Sequence, residues 1–375
     1  MKDKYTCIVM GAAGRDFHIY LSFLRNNPHF HVTAFTAAQI PFIDDRIFPA
    51  SLAGEDYPDG IPIYDESELP ELIKKNQVDF VFFAYSDISY SQLMHKASLV
   101  QAAGASFVML GPDHTQLVSR APVISITATR TGAGKSPLTQ WLARSLMEKG
   151  KRVSVIRHPM PYGNLALQRV QCFNTQEDLD RHECTIEERE EYDPYVKMGI
   201  PIYAGVDYQG ILEEAQSGVD VVLWDGGNND FSFIKPDLDI VVVDALRAGH
   251  EIDYFPGEVN FRRADVLVIG KCETAVSGAV EEIRERAHDL NPGAPVCTSD
   301  LEIIVDKPEL LADQKVLVIE DGPTVTHGGM SFGAGIVAAQ NHGARPVDPR
   351  PYAEGTIRDV FVSNPHLERV LPAMG

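Results

Sequence analysis

Short apolar runs alternate with stretches whose apolar positions recur at helical spacing along most of this chain. That alternation is the pattern of parallel α/β architecture. Tyr5 to Met10 reads as a first strand, followed by the turn Gly11-Ala12-Ala13-Gly14-Arg15-Asp16 and a helix to about Asn26. Further strands are expected at Phe30 to Phe35, Val78 to Ala84 and Ser106 to Leu110, with helices near Leu69 to Asn76 and Tyr90 to Ala103. The loop Gln39 to Ile61, rich in Pro, Gly, Asp and Tyr, is too long for a plain connection and reads equally as a functional loop or an irregular edge segment. A second series starts at Val123, and neither internal repeats nor low-complexity linkers interrupt it.

These elements predict an α/β chain with an N-terminal Rossmann-like parallel sheet over 1–119, a nucleotide-binding domain over 120–345 and a C-terminal extension over 346–375. The second domain carries the strongest chemical signal. After the strand Val123-Ile124-Ser125-Ile126 come Thr131-Gly132-Ala133-Gly134-Lys135-Ser136 and a helix expected from Pro137 to Lys149. Such a strand, glycine-rich turn, Lys-Ser and helix make a phosphate cradle: Lys135 reaches the β/γ oxygens and Ser136 ligates Mg²⁺. Thr129 stands where the usual pattern has its first glycine, and Arg130 lies five positions before the lysine. That variant resembles the phosphate loops of the MinD, signal-recognition and dethiobiotin-synthetase group of P-loop NTPases.

Val219 to Trp224 is an apolar strand ending in Asp225, the placement of an acid that holds Mg²⁺ directly or through water. Asp244, ending the strand Leu238 to Val243, is a weaker competitor that could equally be a cap, and Asn228, Asn229 and Asp230 read as turn formers or as groups orienting the attacking atom. Val266 to Glu273 lies where GTPases carry Asn-Lys-x-Asp; Gly270 and Glu273 spoil the grip on guanine, while Lys271 can still lie along a base, so ATP fits at least as well as GTP. Arg157 and His158, in the segment up to Gly163, with Arg169 beyond, suggest an anion site for the transferred group. Two further glycine-rich turns could cradle anions through backbone N–H groups: Gly11 to Asp16 with Arg15, and Glu320 to Gly335 with His327. Each reads equally as a structural turn.

Composition narrows the partners. The 375 residues are 44% hydrophobic and 23% charged, enough for a large core. A formal net charge of −20 argues against nonspecific nucleic-acid binding, and the acidic run Gln176 to Asp193 is expected to be a solvated helix face. Five dispersed cysteines without a C-x-x-C pair suit reduced thiols. No apolar run reaches the roughly 20 residues that cross a bilayer, so a cytoplasmic protein without membrane partners is expected, as a homodimer.

Taken together, Gly-Ala-Ala-Gly-Arg-Asp-Phe at 11–17, Phe-Thr-Ala-Ala-Gln-Ile-Pro at 35–41, Tyr-Pro-Asp-Gly-Ile-Pro-Ile at 57–63, Arg-Thr-Gly-Ala-Gly-Lys-Ser at 130–136, Arg-His-Pro-Met-Pro-Tyr-Gly at 157–163, Trp-Asp-Gly-Gly-Asn-Asn-Asp at 224–230 and Glu-Asp-Gly-Pro-Thr-Val-Thr-His-Gly-Gly-Met at 320–330 resemble the cyclic 2,3-diphosphoglycerate synthetase family over nearly the whole chain. The resemblance implies ATP- and Mg²⁺-dependent closure of 2,3-diphosphoglycerate into an intramolecular anhydride with release of ADP and phosphate. Lys135 and Thr131 to Ser136 would then hold ATP, Ser136 and Asp225 the metal, and Arg130, Arg157, His158 and Arg169 the phosphoryl groups, with His327, Gly11 and Arg15 as further substrate contacts. Ala128 and Gly270 to Glu273 depart from the family pattern, and its chains run on past Leu-Pro-Ala-Met-Gly. A GTP-dependent switch or metallochaperone, and a sensor of a small phosphorylated ligand, are the alternative functions.

Overall fold

The computed structural model describes residues 4–12, 14–38, 46–158, 163–227, 229–320, 323–326 and 329–373. Its first sheet draws on β1 (Tyr5–Met10), β2 (Phe30–Ala37), β3 (Ile47–Phe48), β4 (Ile61–Asp65) and β5 (Phe80–Phe83); after β6 (Ile88–Ser89), which belongs elsewhere, β7 (Ser106–Val108) completes it. The order is β3-β4-β2-β1-β5-β7, parallel except for β3 against β4. Strand order therefore reverses at β1, and the crevice between the carboxyl ends of β1 and β5 is where open α/β sheets bind ligands.

The second sheet contains β8 (Val123–Ala128), β9 (Val153–Arg157), β10 (Gln171–Phe173), β11 (Ile202–Ala204), β12 (Val221–Asp225) and β13 (Leu238–Asp244); β14 (Tyr254–Phe255) stands apart, and β15 (Val266–Gly270) and β16 (Val296–Ser299) finish the sheet. Here the order is β10-β11-β9-β12-β8-β13-β15-β16, parallel except at β10. Central strands are buried on both faces, which is why they read as continuous apolar runs instead of alternating. Phe173, Tyr192, Tyr195 and Leu223 pack on one face, and Tyr208, Ile211, Trp224 and Phe233 on the other.

The two sheets share their packing. β6 pairs with β14, Phe231 and Phe255 enter the core under β5, and Leu165 and Val206 enter the core around Phe17 and Phe35. The helix Tyr90–Ala103 begins in a capping box of Ser89 and Gln92 and ends at left-handed Gly104, so its expected bounds hold. The apolar stretch Val316 to Ile319 is divided between two short strands, because Lys315–Val316 pairs with Arg345–Pro346 while Ile319–Glu320 pairs with Leu371–Pro372. Val318, Ile336, Phe361 and Leu367 form one cluster there, and the boundary expected at 345 runs through it. All five cysteines are free thiols. Among the described residues no helix is long and apolar enough to cross a membrane.

Candidate active site

β8 leads through the phosphate loop into the helix Lys135–Glu148, which begins two residues before the expected Pro137. Gly132 and Gly134 make that turn in left-handed conformations, with φ of 75° and 106°, that glycine adopts without strain. Thr131, Ala133 and Lys135 are buried, and Lys135 has its pKa pushed down to about 8 by burial and then by the charge of Arg157. A buried ammonium facing a guanidinium is completed by an anion, which is the phosphate reading of this loop.

The loop is braced from beneath. Asn229 donates to the Thr129 carbonyl at 2.9 Å, and Asn260 donates to the carbonyls of Ala128 at 3.2 Å and Asn229 at 2.9 Å. Lys271 donates to the Gly132 carbonyl at 2.7 Å and pairs with Asp244 at 2.9 Å, while Arg247 reaches the Thr131 carbonyl at 2.6 Å and pairs with the same carboxylate. Burial works against the Asp244 charge, but Lys271 and Arg247 hold its pKa below the usual carboxylate range. Lys271, expected along the base, and Asp244, the expected competitor for the metal, are thus both committed to supporting the loop.

Asp225 ends β12, paired in register with Ile126 of β8 and Arg157 of β9, which brings three strand ends together. Its Oδ1 lies 3.4 Å from Ser136 Oγ and accepts from Thr139 Oγ1 at 3.3 Å, and its Oδ2 accepts from Tyr195 at 2.8 Å. Arg157 Nη1 stands 2.9 Å from Asp225 Oδ1 and 3.0 Å from Ser136 Oγ; its Nε donates to Glu191 at 3.0 Å, and its Nη2 ion-pairs with the same carboxylate. Burial opposes the Arg157 charge, yet Asp225 and then Glu191 hold its pKa above the ordinary arginine value. Ser136 and Asp225 are hard oxygen donors around a seat that already accommodates a cation, so they fit Mg²⁺.

The acidic run is a solvated face only in part: Glu177, Asp180, Glu183 and Glu190 are exposed, but others turn inward. Glu188 is buried in a capping box with Thr185, Tyr192 and Tyr195 are core, and Glu191 enters the phosphate site through Arg157. Glu191, Tyr195 and Thr139 were missed; only Thr139 carried a signal, one helical turn beyond Lys135.

The first sheet closes over this face. Arg130 turns to Asp87, Nε to Oδ1 at 2.7 Å, hydrogen-bonds His250 and lies 3.6 Å over the Tyr254 ring. Asp87 follows β5 and has a left-handed φ of 55°. Arg15 leaves the β1 turn to meet Asp230 at 3.3 Å and Phe231 at 4.4 Å. His158 sits 3.6 Å from Asp230 and packs so tightly under the same turn that a Cβ on Gly14 would come within 2.6 Å of its ring. The carboxyl ends of β1 and β5 therefore face those of β8, β9 and β12.

The other two glycine-rich cradles are filled by the chain's own carboxylates. Asp16 accepts from the amides of Gly14 at 3.0 Å and Phe17 at 2.7 Å, and lies where a Cβ on Gly11 would be. Glu320 accepts from the amides of Gly333, Gly335 and Ile336 at 2.9 to 3.1 Å. Gly11 and Arg15 are therefore engaged internally, and Arg169 is more than half exposed and paired with Asp207 at 2.9 Å. His327 lies outside the described residues, as do 159–162, Ala13 and Asn228.

No protein-family model matches the chain. It is similar over its full 375 residues, at 54% identity and covering 84% of the relative, to a Thermococcus kodakarensis protein named arginine synthetase ArcE. A Syntrophotalea carbinolica tetraacyldisaccharide 4'-kinase is 28% identical over 173 residues, 43% of this chain and 46% of that protein. Among solved structures, LpxK from Aquifex aeolicus in complex with ATP aligns at TM-score 0.36 and 15% identity over 68% of this chain and 84% of its own, and hydrogenase maturation factor HypB from Archaeoglobus fulgidus at TM-score 0.33 and 16% identity over 48% and 81%.

Proposed function

Since the chain belongs to the family of the Thermococcus protein named arginine synthetase ArcE, we propose that it is an ATP-dependent ligase that forms arginine. A ureido amino acid, citrulline, gives arginine when its carbonyl oxygen takes the γ-phosphoryl group of ATP and ammonia then displaces that oxygen from carbon as inorganic phosphate. Only the activation step needs a nucleotide, and positioning with charge neutralisation carries such a transfer. Lys135 and the Thr131 to Ser136 backbone bind and orient the triphosphate in this reading, and Arg157 meets the transferred group. Ser136 and Asp225 would hold Mg²⁺, which would supply charge neutralisation to the triphosphate. His158, Arg130 and the ends of β1 and β5 border the acceptor compartment, with 1–119 as a Rossmann-like acceptor unit and the second sheet as a MinD-like nucleotide unit.

One observation carries the choice of acceptor. Arg15, Arg130 and Arg157 all have carboxylate partners, Asp230, Asp87, and Glu191 with Asp225. A compartment whose arginines are already neutralised suits a zwitterionic acceptor better than a polyanion. Cyclisation of 2,3-diphosphoglycerate, implied by the motif resemblance, shares the first phosphoryl transfer and is the second reading. Purified protein with ATP, Mg²⁺, citrulline and ammonium is expected to release arginine, ADP and phosphate, and Lys135→Ala to release none. Phosphorus NMR showing a cyclic product from 2,3-diphosphoglycerate, with no arginine formed from citrulline, decides for the second reading.

A further inference from the structure

The guanidinium of Arg157 occupies the place assigned above to a divalent cation. Its Nη1 lies between Asp225 Oδ1 at 2.9 Å and Ser136 Oγ at 3.0 Å, and those two oxygens are themselves only 3.4 Å apart. Two cations cannot share that seat, because like charges a few ångströms apart in a buried site repel strongly. The same guanidinium has a second carboxylate on its opposite edge. Glu191 takes its Nε and Nη2 from the helix Ile186–Lys197, and is the more exposed of the two acids, at 23% against 1% for Asp225.

Arg157 thus stands between an inner anion that a metal would claim and an outer anion that no metal needs. We infer that Arg157 is the resident cation of the metal seat in the nucleotide-free protein, that entry of the divalent cation with nucleotide displaces it, and that Glu191 retains it at the rim. Displaced outward, the guanidinium is free of Asp225 and available to the phosphoryl group being transferred. Arg157 therefore reports metal occupancy to the reacting end of the nucleotide. The inference rests on the nucleotide-phosphotransfer reading and is independent of which acceptor is used.

Mn²⁺ binding to the nucleotide-free protein, followed by electron paramagnetic resonance, tests it without any turnover. Arg157→Gln is expected to tighten Mn²⁺ binding about tenfold or more by vacating the seat, whereas Lys135→Gln, which removes a nearby cation outside the seat, changes it by no more than about threefold. Adding Asp225→Asn to Arg157→Gln is expected to abolish the gain. A gain in Arg157→Gln no larger than that in Lys135→Gln overturns the inference, since the arginine then acts only through its field. Should Arg157→Gln fail to fold, Glu191→Gln serves instead: with its outer anchor gone, Arg157 stays on Asp225 and Mn²⁺ binding weakens at least about threefold. Unchanged binding in Glu191→Gln overturns the inference equally. Loss of arginine formation alone leaves these binding differences in place, so the two proposals fail separately.

Discussion

Arg15 and Asp230 meet across the junction of the two sheets, Nη1 to Oδ1 at 3.3 Å, with 4% and 2% of their side chains exposed. Burial pushes the Arg15 pKa down, and the Asp230 carboxylate opposes that shift. Removing either partner leaves the other as a buried charge without its counter-ion across the junction, at a cost of about 3–5 kcal/mol. Arg15→Met and Asp230→Asn are each expected to lower urea-unfolding stability by that order, while the double variant recovers much of the loss. Additive losses in a double-mutant cycle would show that the pair is not coupled.

The floor of the phosphate loop offers a second test. Gly257 starts the helix Gly257–Arg263, and a Cβ there would lie 2.1 Å from the Thr129 carbonyl oxygen, a backbone atom held by Asn229. Overpacking of this kind costs about 1–3 kcal/mol, and here the strain falls on the loop. Gly257→Ala is expected to weaken ADP binding about tenfold or more in calorimetry, because about 1.4 kcal/mol corresponds to a tenfold change. Unaltered affinity would mean that the loop floor yields freely.

Much of this arrangement was readable from residue order. The phosphate loop and Asp225 are local signals, each a short pattern fixed to the end of an apolar strand, and the structure brings Ser136 and Asp225 to 3.4 Å. What was not readable depends on which way individual carboxylate side chains turn. Gly11 to Asp16 and Glu320 to Gly335 look like anion cradles because they do hold anions, but the anions are Asp16 and Glu320 themselves. No spacing rule says whether a carboxylate inside such a motif will fold back onto its amides. Asp87 and Glu191 were missed for a related reason: their partners, Arg130 and Arg157, lie 43 and 34 residues away. Asp87 meets Arg130 only where the two sheets are apposed, and Glu191 meets Arg157 only once the helix Ile186–Lys197 packs onto the second sheet.

Tyr195 gives a prediction about the acid itself. Its hydroxyl donates to Asp225 Oδ2 at 2.8 Å, and its pKa is pushed well up by burial and then by the Asp225 charge, so it stays protonated as a donor. A hydrogen bond to a charged group is worth about 1.5–3 kcal/mol. Tyr195→Phe keeps the ring in the core and removes only this donor. The expected outcome is a loss of about tenfold or more in kcat/KM for Mg·ATP, with the far-ultraviolet circular dichroism spectrum unchanged. Full activity in the variant would show that Ser136 and Thr139 suffice to orient the carboxylate.

The junction of the sheets should also respond to acid through His18. This side chain lies in van der Waals stacking with Phe233 at 4.3 Å between ring centres, with Nε2 2.9 Å from the Thr115 carbonyl, and burial brings its pKa from 6.5 down to about 4. Arg15 and His158 add to that shift, while the Thr115 carbonyl and Asp230 oppose it. Between those two values the unfolded chain binds a proton that the folded chain refuses, so stability rises with pH across the window and is lost as pH falls through it. That displacement corresponds to about 3 kcal/mol, fully present above pH 6.5. Asp239, whose pKa burial pushes up to about 6 despite a 2.5 Å bond from Ser125, works in the opposite sense over much of the same range. The whole-protein pH profile therefore mixes the two, and the His18 contribution must be read as a difference. His18→Gln keeps a donor for Thr115 but has no titrating proton, so it is expected to lose about 3 kcal/mol less than the wild type when urea unfolding is compared at pH 7.5 and pH 4. Parallel pH profiles for the two proteins would rule out a neutral, buried His18 as a source of acid sensitivity at the sheet junction.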